Sequence, residues 1–315
     1  MRFLYFLFPI LAVCAMTTDK FPQAEISNGL IHARFYIPDS LNCYYQGSRF
    51  DWSGNLLSLV YNNHEYFGRW FAGYDHDIRD SIMGPVEEFA PLDYTETKRG
   101  DGFLKIGIGV LSKSDDKPYT SGNPYLILNR GNWSVKKQSD QIRFIHQLHS
   151  TNYSYWYEKA VLLVKGKPQM ILAHTLRNTG SRTIETNVYS HNFFFIDKQP
   201  IGPDFSIIFP FNLNGKGPGI GELAKIEGNK ILFTRNLKKD ETVYCGALVG
   251  YGTTVKDFDI RIENQTTGAK VRITCDRPIM QLAFWACSAT ICPEPFIKIK
   301  VEPGQEFKWN INYEF

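Results

Sequence analysis

Phe307-Lys308-Trp309-Asn310-Ile311-Asn312-Tyr313-Glu314-Phe315 closes the chain with large apolar and polar residues in strict alternation. A period of two places the large side chains on one face and the polar ones on the other, which is the pattern of a half-buried β-strand. Upstream, the apolar runs 161–164 and 170–176 flank Lys165-Gly166-Lys167-Pro168 and predict a hairpin. Leu104, Ile106, Ile108 and Val110 alternate with Lys105, Gly107 and Gly109, predicting a further strand. Other strands are expected at 142–148, 188–196, 206–211, 243–251, 258–262, 270–275 and 279–287, separated by turn clusters such as Gly215-Lys216-Gly217-Pro218-Gly219. Helical periodicity is almost absent, with at most a turn or two near 221–224. No Pro/Ser linker, short repeat or heptad divides the sequence. The expected fold class is therefore all-β, a single large antiparallel sandwich domain spanning 20–315.

Composition agrees with a large core. The 315 residues are 43% hydrophobic and 15% aromatic, which excludes a disordered or charge-dominated chain. Lys and Arg number 35 against 32 acidic residues, and no basic run accompanies that small excess, so no nucleic-acid partner is expected. The aromatic content suits sheet packing, a stacking surface for a ligand, or both. Candidates near the site discussed below are Trp52, Phe89, Tyr189 and Phe193.

Met1-Arg2 followed by the apolar stretch 3–13 reads as a secretory signal, with Val13-Cys14-Ala15 as a small-residue cleavage site. Residues 1–15 are thus expected to be a signal peptide, and the protein to be exported to the periplasm or cell envelope. Leu11-Ala12-Val13-Cys14 also approaches the lipoprotein pattern, which would place a lipid anchor on Cys14. The apolar stretch is shorter than the roughly 20 residues a membrane span needs, and no other stretch is long enough. Cleavage leaves Cys43, Cys245, Cys275, Cys287 and Cys292, an odd set without a Cys-x-x-Cys pair, best read as small buried apolar residues; a Cys287–Cys292 bridge stays open.

Nucleotide-binding glycine loops, a Gly-x-Ser-x-Gly elbow and a His-Glu-x-x-His helix are all missing from the sequence. No metal and no cofactor are expected. Two strings carry candidate chemistry. In Tyr189-Ser190-His191-Asn192-Phe193-Phe194-Phe195-Ile196-Asp197 both faces are apolar, as in a central strand, and His191 shares a face with Tyr189, Phe193 and Phe195. A hydrogen-bonded core histidine and a functional one both fit. In Cys292-Pro293-Glu294-Pro295-Phe296 two prolines remove backbone donors, arguing for a stiff extended loop outside any interior strand. Glu294 there suits a positioned general base, and equally an ordinary surface turn.

Taken together, three blocks resemble the galactose mutarotase (aldose 1-epimerase) superfamily. They are the passage from Leu163 through Leu176-Arg177-Asn178-Thr179-Gly180 to Tyr189-Ser190-His191-Asn192-Phe193-Phe194, the Ile291-Cys292-Pro293-Glu294-Pro295 segment, and the ending Val301-Glu302-Pro303-Gly304-Gln305 to Trp309. The resemblance implies a β-supersandwich, a general acid at His191 and a general base at Glu294. It also implies sugar-binding roles for Arg49, His76, Glu88 and Asp204. Glu87-Glu88 reads equally well as an exposed acidic pair, and Asp204 as a turn residue. Asn63-His64-Glu65-Tyr66-Phe67 spells the family's Asn-His-x-Tyr-Phe motif more closely than the segment at His191 but stands too early in the order, so His64 is read as a loop histidine. His174, flanked on its face by Met170, Leu172 and Leu176, reads as a satisfied core residue.

The resemblance implies an aldose 1-epimerase-like isomerase acting on a small-molecule sugar or oligosaccharide; the signal segment adds export, and a monomer is expected. An ionised carboxylate and a protonated imidazole, with reference pKa values of about 4.3 and 6.5, would coexist near neutrality. The alternatives are a polysaccharide lyase or glycosidase on the same fold, with Glu87, Glu88 or Asp204 facing Glu294, or a non-catalytic carbohydrate-binding protein.

Overall fold

The computed structural model describes residues 21–39, 42–75, 81–151 and 153–315. The expected signal segment 1–15, with Cys14, and the candidate His76 lie outside them. Most strands belong to two antiparallel sheets. The larger has ten strands in the order Ala224–Glu227, Lys230–Phe233, Phe205–Ile208, Asp259–Asn264, Lys270–Cys275, Glu306–Glu314, Gln169–Asn178, Ser154–Leu163, Gln141–His149 and Asn132–Lys137. The smaller has five, in the order Thr242–Leu248, Gln281–Cys287, Ile291–Val301, Ile184–His191 and Val86–Phe89. A four-stranded sheet from residues 23–67 and a three-stranded one from residues 102–129 flank them.

The alternating closing segment is the strand Glu306–Glu314, with Trp309, Ile311 and Tyr313 buried and Glu306, Lys308 and Glu314 exposed. The hairpin around Gly166 is present, with Leu163 opposite Met170 and Gly166 at φ +70°. Trp309 and Ile311 meet Val188, Ser190, Pro295 and Ile297 of the five-stranded sheet across one narrow space between the sheets. One face of the smaller sheet is therefore core, and period two leaves the alternate residues on its other face.

The interface between the sheets also holds charge. Lys159, His174 and Trp309 are neighbours across three strands of the ten-stranded sheet. The His174 ring lies flat on Trp309, centroids 4.4 Å apart and planes 2° apart. Between the sheets, Glu87 accepts hydrogen bonds from Lys159 Nζ at 2.5 Å and bonds His174 Nε2 at 2.9 Å. Burial alone would push its carboxyl up, but Lys159 and His174 hold it below its usual value. His174 is thus a core residue as expected, bonded through Nε2 to the first of the two adjacent glutamates, while its Nδ1 is buried without a hydrogen-bond partner among the described residues. The described cysteines are all free, and each except the half-buried Cys287 is buried.

Two local expectations change. The single strand expected over 104–110 is a hairpin, Gly102–Lys105 against Gly109–Ser112, with Lys105 opposite Gly109. Gly107 sits at φ +78° and Gly109 at φ +141°, where glycine alone is unstrained, and a Cβ on Gly109 would fall 2.0 Å from the Asn129 carbonyl oxygen. Residues 221–223 form a turn rather than helix; the described helices are short 3-10 segments at Ile196–Lys198 and Val255–Asp257. Among the described residues no helix is long and apolar enough to cross a membrane.

Trp309 is 1% exposed, stacks on His174 within its own sheet and meets Phe89 of the other sheet edge-on. Trp309→Ala is expected to lower the unfolding free energy by about 3–5 kcal/mol, read from urea denaturation midpoints at constant m-value.

Candidate active site

The face of the five-stranded sheet turned away from the core lines a cavity of about 1010 Å³. Each strand supplies residues to it: Thr242 and Tyr244; Gln281, Ala283 and Trp285; Glu294 and Phe296; Asn187, Tyr189 and His191; and Glu88. Arg49 and the segment Tyr119-Thr120-Ser121 close the side beyond Glu88.

His191 is the last residue of its strand. Pairing with the Ile291–Val301 strand ends at Tyr189 opposite Phe296, after which the chain turns through Phe193 at φ +43°. That turn folds the Phe193 ring flat against the imidazole, centroids 3.8 Å apart, while Phe50 and Trp285 approach edge-on at 5.4 and 5.8 Å. The imidazole Nε2 lies 3.3 Å from Glu294 Oε1. Nδ1 is buried without a hydrogen-bond partner among the described residues.

Glu294 stands on a strand, contrary to the loop expected from its two prolines. Ile291–Val301 is an interior strand, paired on one side with Gln281–Cys287 and on the other with Ile184–His191. Ile291 exchanges backbone bonds with Phe194 on the His191 side, whereas the Phe296 carbonyl accepts from Met280 on the opposite side. Alternation then turns Pro293 and Pro295 toward the His191 side, where the neighbouring strand has already turned away. Missing N–H groups cost nothing in that gap. The Asn192 side chain fills it, donating to the Pro293 carbonyl at 2.7 Å and accepting from Tyr313 Oη at 2.8 Å. Asn192 thereby ties the backbone beside His191 to the backbone beside Glu294.

Burial sets the resting protonation of the pair, and it differs from the ionised carboxylate and charged imidazole expected from reference values. Loss of solvent pushes the Glu294 carboxyl up from 4.5 to about 8; Arg49 opposes the shift and Glu88 adds to it. Loss of solvent, assisted by the Arg49 charge, holds His191 well below 6.5. At neutral pH the site therefore holds a carboxylic acid beside a neutral imidazole. This pair carries as many protons as the ionised one, in the arrangement that a desolvated site favours.

Glu88 is not half of an exposed acidic pair. Glu87 and Glu88 are both buried, and adjacent strand positions send them to opposite faces, Glu87 to the core and Glu88 to the cavity. Glu88 Oε2 accepts from Arg49 Nε at 2.8 Å and from Tyr189 Oη at 2.5 Å, and Oε1 lies 3.4 Å from Lys105 Nζ. Burial would raise this carboxyl, but Lys105 and Arg49 hold it below its ordinary value.

Four of the six candidates, Arg49, Glu88, His191 and Glu294, line the one cavity. Asp204 does not. It is an exposed residue of the turn closed by Phe205 N–H donating to the Gly202 carbonyl, leading into a strand of the ten-stranded sheet. His64 lies in the strand His64–Phe67 rather than a loop, its Nδ1 2.8 Å from Asp197 Oδ2. Of the aromatics singled out, Tyr189, Phe193 and Phe89 line the cavity. Trp52 is buried with its Nε1 donating to the Gly47 carbonyl, and the Phe89 ring packs on Tyr157 and Trp309. Sequence reading misses Lys105, Tyr119, Tyr244, Trp285 and Phe296. Lys105 alone left a trace, a lysine inside the run Phe103-Leu104-Lys105-Ile106. Among the described residues no group of three or more His, Cys, Asp or Glu side chains is gathered as a metal site would need.

No protein-family model and no curated protein sequence matches the chain. Solved structures do. An aldose epimerase homologue from C. elegans superposes with a TM-score of 0.55 at 11% identity, over 93% of this chain and 98% of that one. A galactose mutarotase-like protein from Clostridium acetobutylicum gives 0.55 at 14%, over 93% and 98%. A galactose mutarotase related enzyme from Lactobacillus acidophilus gives 0.53 at 12%, over 93% and 97%. At such identity what is shared is the fold, and it is shared over nearly the whole length: the chain has the all-β galactose mutarotase-like fold.

A carboxyl that stays protonated from about 4.5 to about 8 makes the folded chain bind more protons than the unfolded chain over that window, so its contribution to stability falls as pH rises. Glu294→Gln removes that contribution. The variant is expected to lose less stability than the parent on going from about pH 5 to about pH 9, as read from urea midpoints at each pH.

Proposed function

We propose that this chain is an exported aldose 1-epimerase-like enzyme, interconverting the anomers of a free sugar by acid–base ring opening at Glu294 and His191. The observation that carries this reading is the 3.3 Å contact between Glu294 Oε1 and His191 Nε2 on a cavity wall. A hemiacetal carbon bears two oxygens, the anomeric hydroxyl and the ring oxygen, close enough together for adjacent groups at that spacing to reach one each.

From the resting protonation, Glu294 gives its proton to the ring oxygen while His191 Nε2 takes the proton of the anomeric hydroxyl. The C1–O5 bond breaks as the C1 carbonyl forms. Rotation about C1–C2 presents the other face of the aldehyde. The carboxylate then takes a proton from the O5 hydroxyl, the imidazolium returns one to O1, and the pair regains its starting state. One proton is given and one taken in each direction, so no net charge is left in the buried site. Arg49 and Glu88, fixed to one another and to Tyr189, are positioned to hold sugar hydroxyls.

Polarimetry on a freshly dissolved α-sugar tests the reading: the protein is expected to speed the approach to anomeric equilibrium. Glu294→Gln and His191→Asn should each lower the rate by about 10²–10⁴-fold. Full rate in both variants would sink the assignment. Because Glu294 starts as an acid with a pKa of about 8, kcat/KM is expected to fall as pH rises above that value.

A second reading rests on Glu88 and Glu294, carboxyls of opposite resting protonation in one cavity, as a glycan-cleaving enzyme would need. Against it, both Glu88 oxygens already have cationic or phenolic partners. Shortened chains from a polysaccharide, with no acceleration of anomer exchange, would favour it.

Export completes the proposal. The mature chain isolated from its host is expected to begin at Met16, measured by intact mass and N-terminal sequencing. A diacylglyceryl mass on Cys14 would instead establish the lipid-anchored form.

A further inference from the structure

The cavity is much larger than one sugar requires. At about 1010 Å³ it reaches the upper end of the roughly 300–1,000 Å³ of pockets that enclose a whole drug-sized ligand, and a hexose has only twelve heavy atoms. Its shape follows from the sheet. At one end His191 is boxed by Phe193, Phe50 and Trp285, of which Phe193 and Phe50 are essentially fully buried. That end is blind. From His191 the lining continues along the same strand to Tyr189 and Asn187, four residues or about 13 Å, longer than two pyranose rings.

The walls beyond the pair are built for sugar faces. Tyr189 and Phe296, opposite each other on neighbouring strands, stack on one another at 4.3 Å one step outward from His191 and Glu294, so that Tyr189 is 8% exposed and backs the half-buried Phe296 ring at the cavity wall. On the edge strand Tyr244 is 44% exposed, and a Cβ at Gly246 would fall 2.7 Å from its hydroxyl, so this glycine leaves the ring room to lie along the strand. Broad aromatic surfaces accept the C–H faces of pyranoses, with hydroxyl and amide groups on Thr120, Ser121, Asn187 and Gln281 around them. Arg49 and Glu88, the lining residues of opposite charge, are paired with one another.

We infer that the ligand is an uncharged linear oligosaccharide of at least three sugars that enters reducing end first, placing that end at His191 and Glu294 and laying its next sugars along Phe296 and Tyr244. This rests on the epimerase reading, which supplies the need for a free reducing end at the pair; blind end, outward length and aromatic floor are what extend it beyond a monosaccharide.

The test compares anomer exchange, followed by magnetisation transfer between α and β anomeric protons, on glucose, galactose, mannose, xylose and the linear gluco-, galacto-, manno- and xylo-tetrasaccharides with the full chain. For one tetrasaccharide kcat/KM is expected to exceed that of its monosaccharide by tenfold or more. Tyr244→Ala should bring that ratio close to one through a higher KM for the tetrasaccharide, and Tyr244→Phe should retain it. Exchange of a monosaccharide as efficient as that of every tetrasaccharide would overturn the inference while leaving the epimerase reading intact. Absence of exchange on every sugar would remove the epimerase reading and this inference with it. An undiminished ratio in Tyr244→Ala would overturn the assigned path of the chain.

Discussion

A carboxylate enclosed between two sheets governs the arrangement of this protein. Glu87 belongs to the edge of the five-stranded sheet, while Lys159 and His174, which bond it, belong to neighbouring strands of the ten-stranded sheet. A buried charge is tolerable only where its partners are in place, so a shifted register between the sheets would leave both Glu87 and Lys159 without compensation. Apolar packing around Trp309 supplies area; the ion cluster adds direction. Because Glu87 points inward, period two obliges Glu88 to point outward, and the same alternation turns Tyr189, His191 and Glu294 toward the cavity.

The site is a consequence of where one strand stops pairing. Beyond Tyr189 the strand carrying His191 leaves its neighbour, and the chain turns at Phe193. That departure lets two prolines sit in an interior strand, folds Phe193 onto His191, and makes the Asn192 amide the connection between the two reacting residues. The same packing that positions the pair dries it. Desolvation moves the proton to the carboxyl and keeps the imidazole neutral, whereas Glu88, only strands away, stays ionised because Arg49 and Lys105 face it. Two glutamates in one cavity thus differ in protonation through their neighbours alone.

Legibility in the sequence followed the range of the interaction. The closing strand and the hairpin around Gly166 were readable because period two and a turn tetrapeptide are local signals. The glycines at 107 and 109 were read as small members of a strand, yet their positive φ turns the chain back; only the Asp51 side chain beside Gly107 and the Asn129 backbone beside Gly109 reveal why no side chain fits. Pro293 and Pro295 were misread for a similar reason. Their exclusion from sheets holds where a partner strand is waiting, and the absence of one at that position is a fact of another segment. His191 and Glu294 were found by ordered resemblance, while Tyr244 and Trp285 belong to no motif and reach the cavity through strand order, and Tyr119 reaches it from a loop.

Sequence alone determined that the chain is a β sandwich, since alternation along single strands needs no knowledge of their partners, and it marked Arg49, Glu88, His191 and Glu294 for attention. Tertiary structure decided the rest. It separated Glu87 from Glu88, left Asp204 on a distant turn, brought His191 within 3.3 Å of Glu294 and chose which of them holds the proton. The division has one physical cause. Side-chain alternation is written into the backbone of each strand, but distance between strands, and the exclusion of water that sets a pKa, exist only after residues far apart in the chain have packed together.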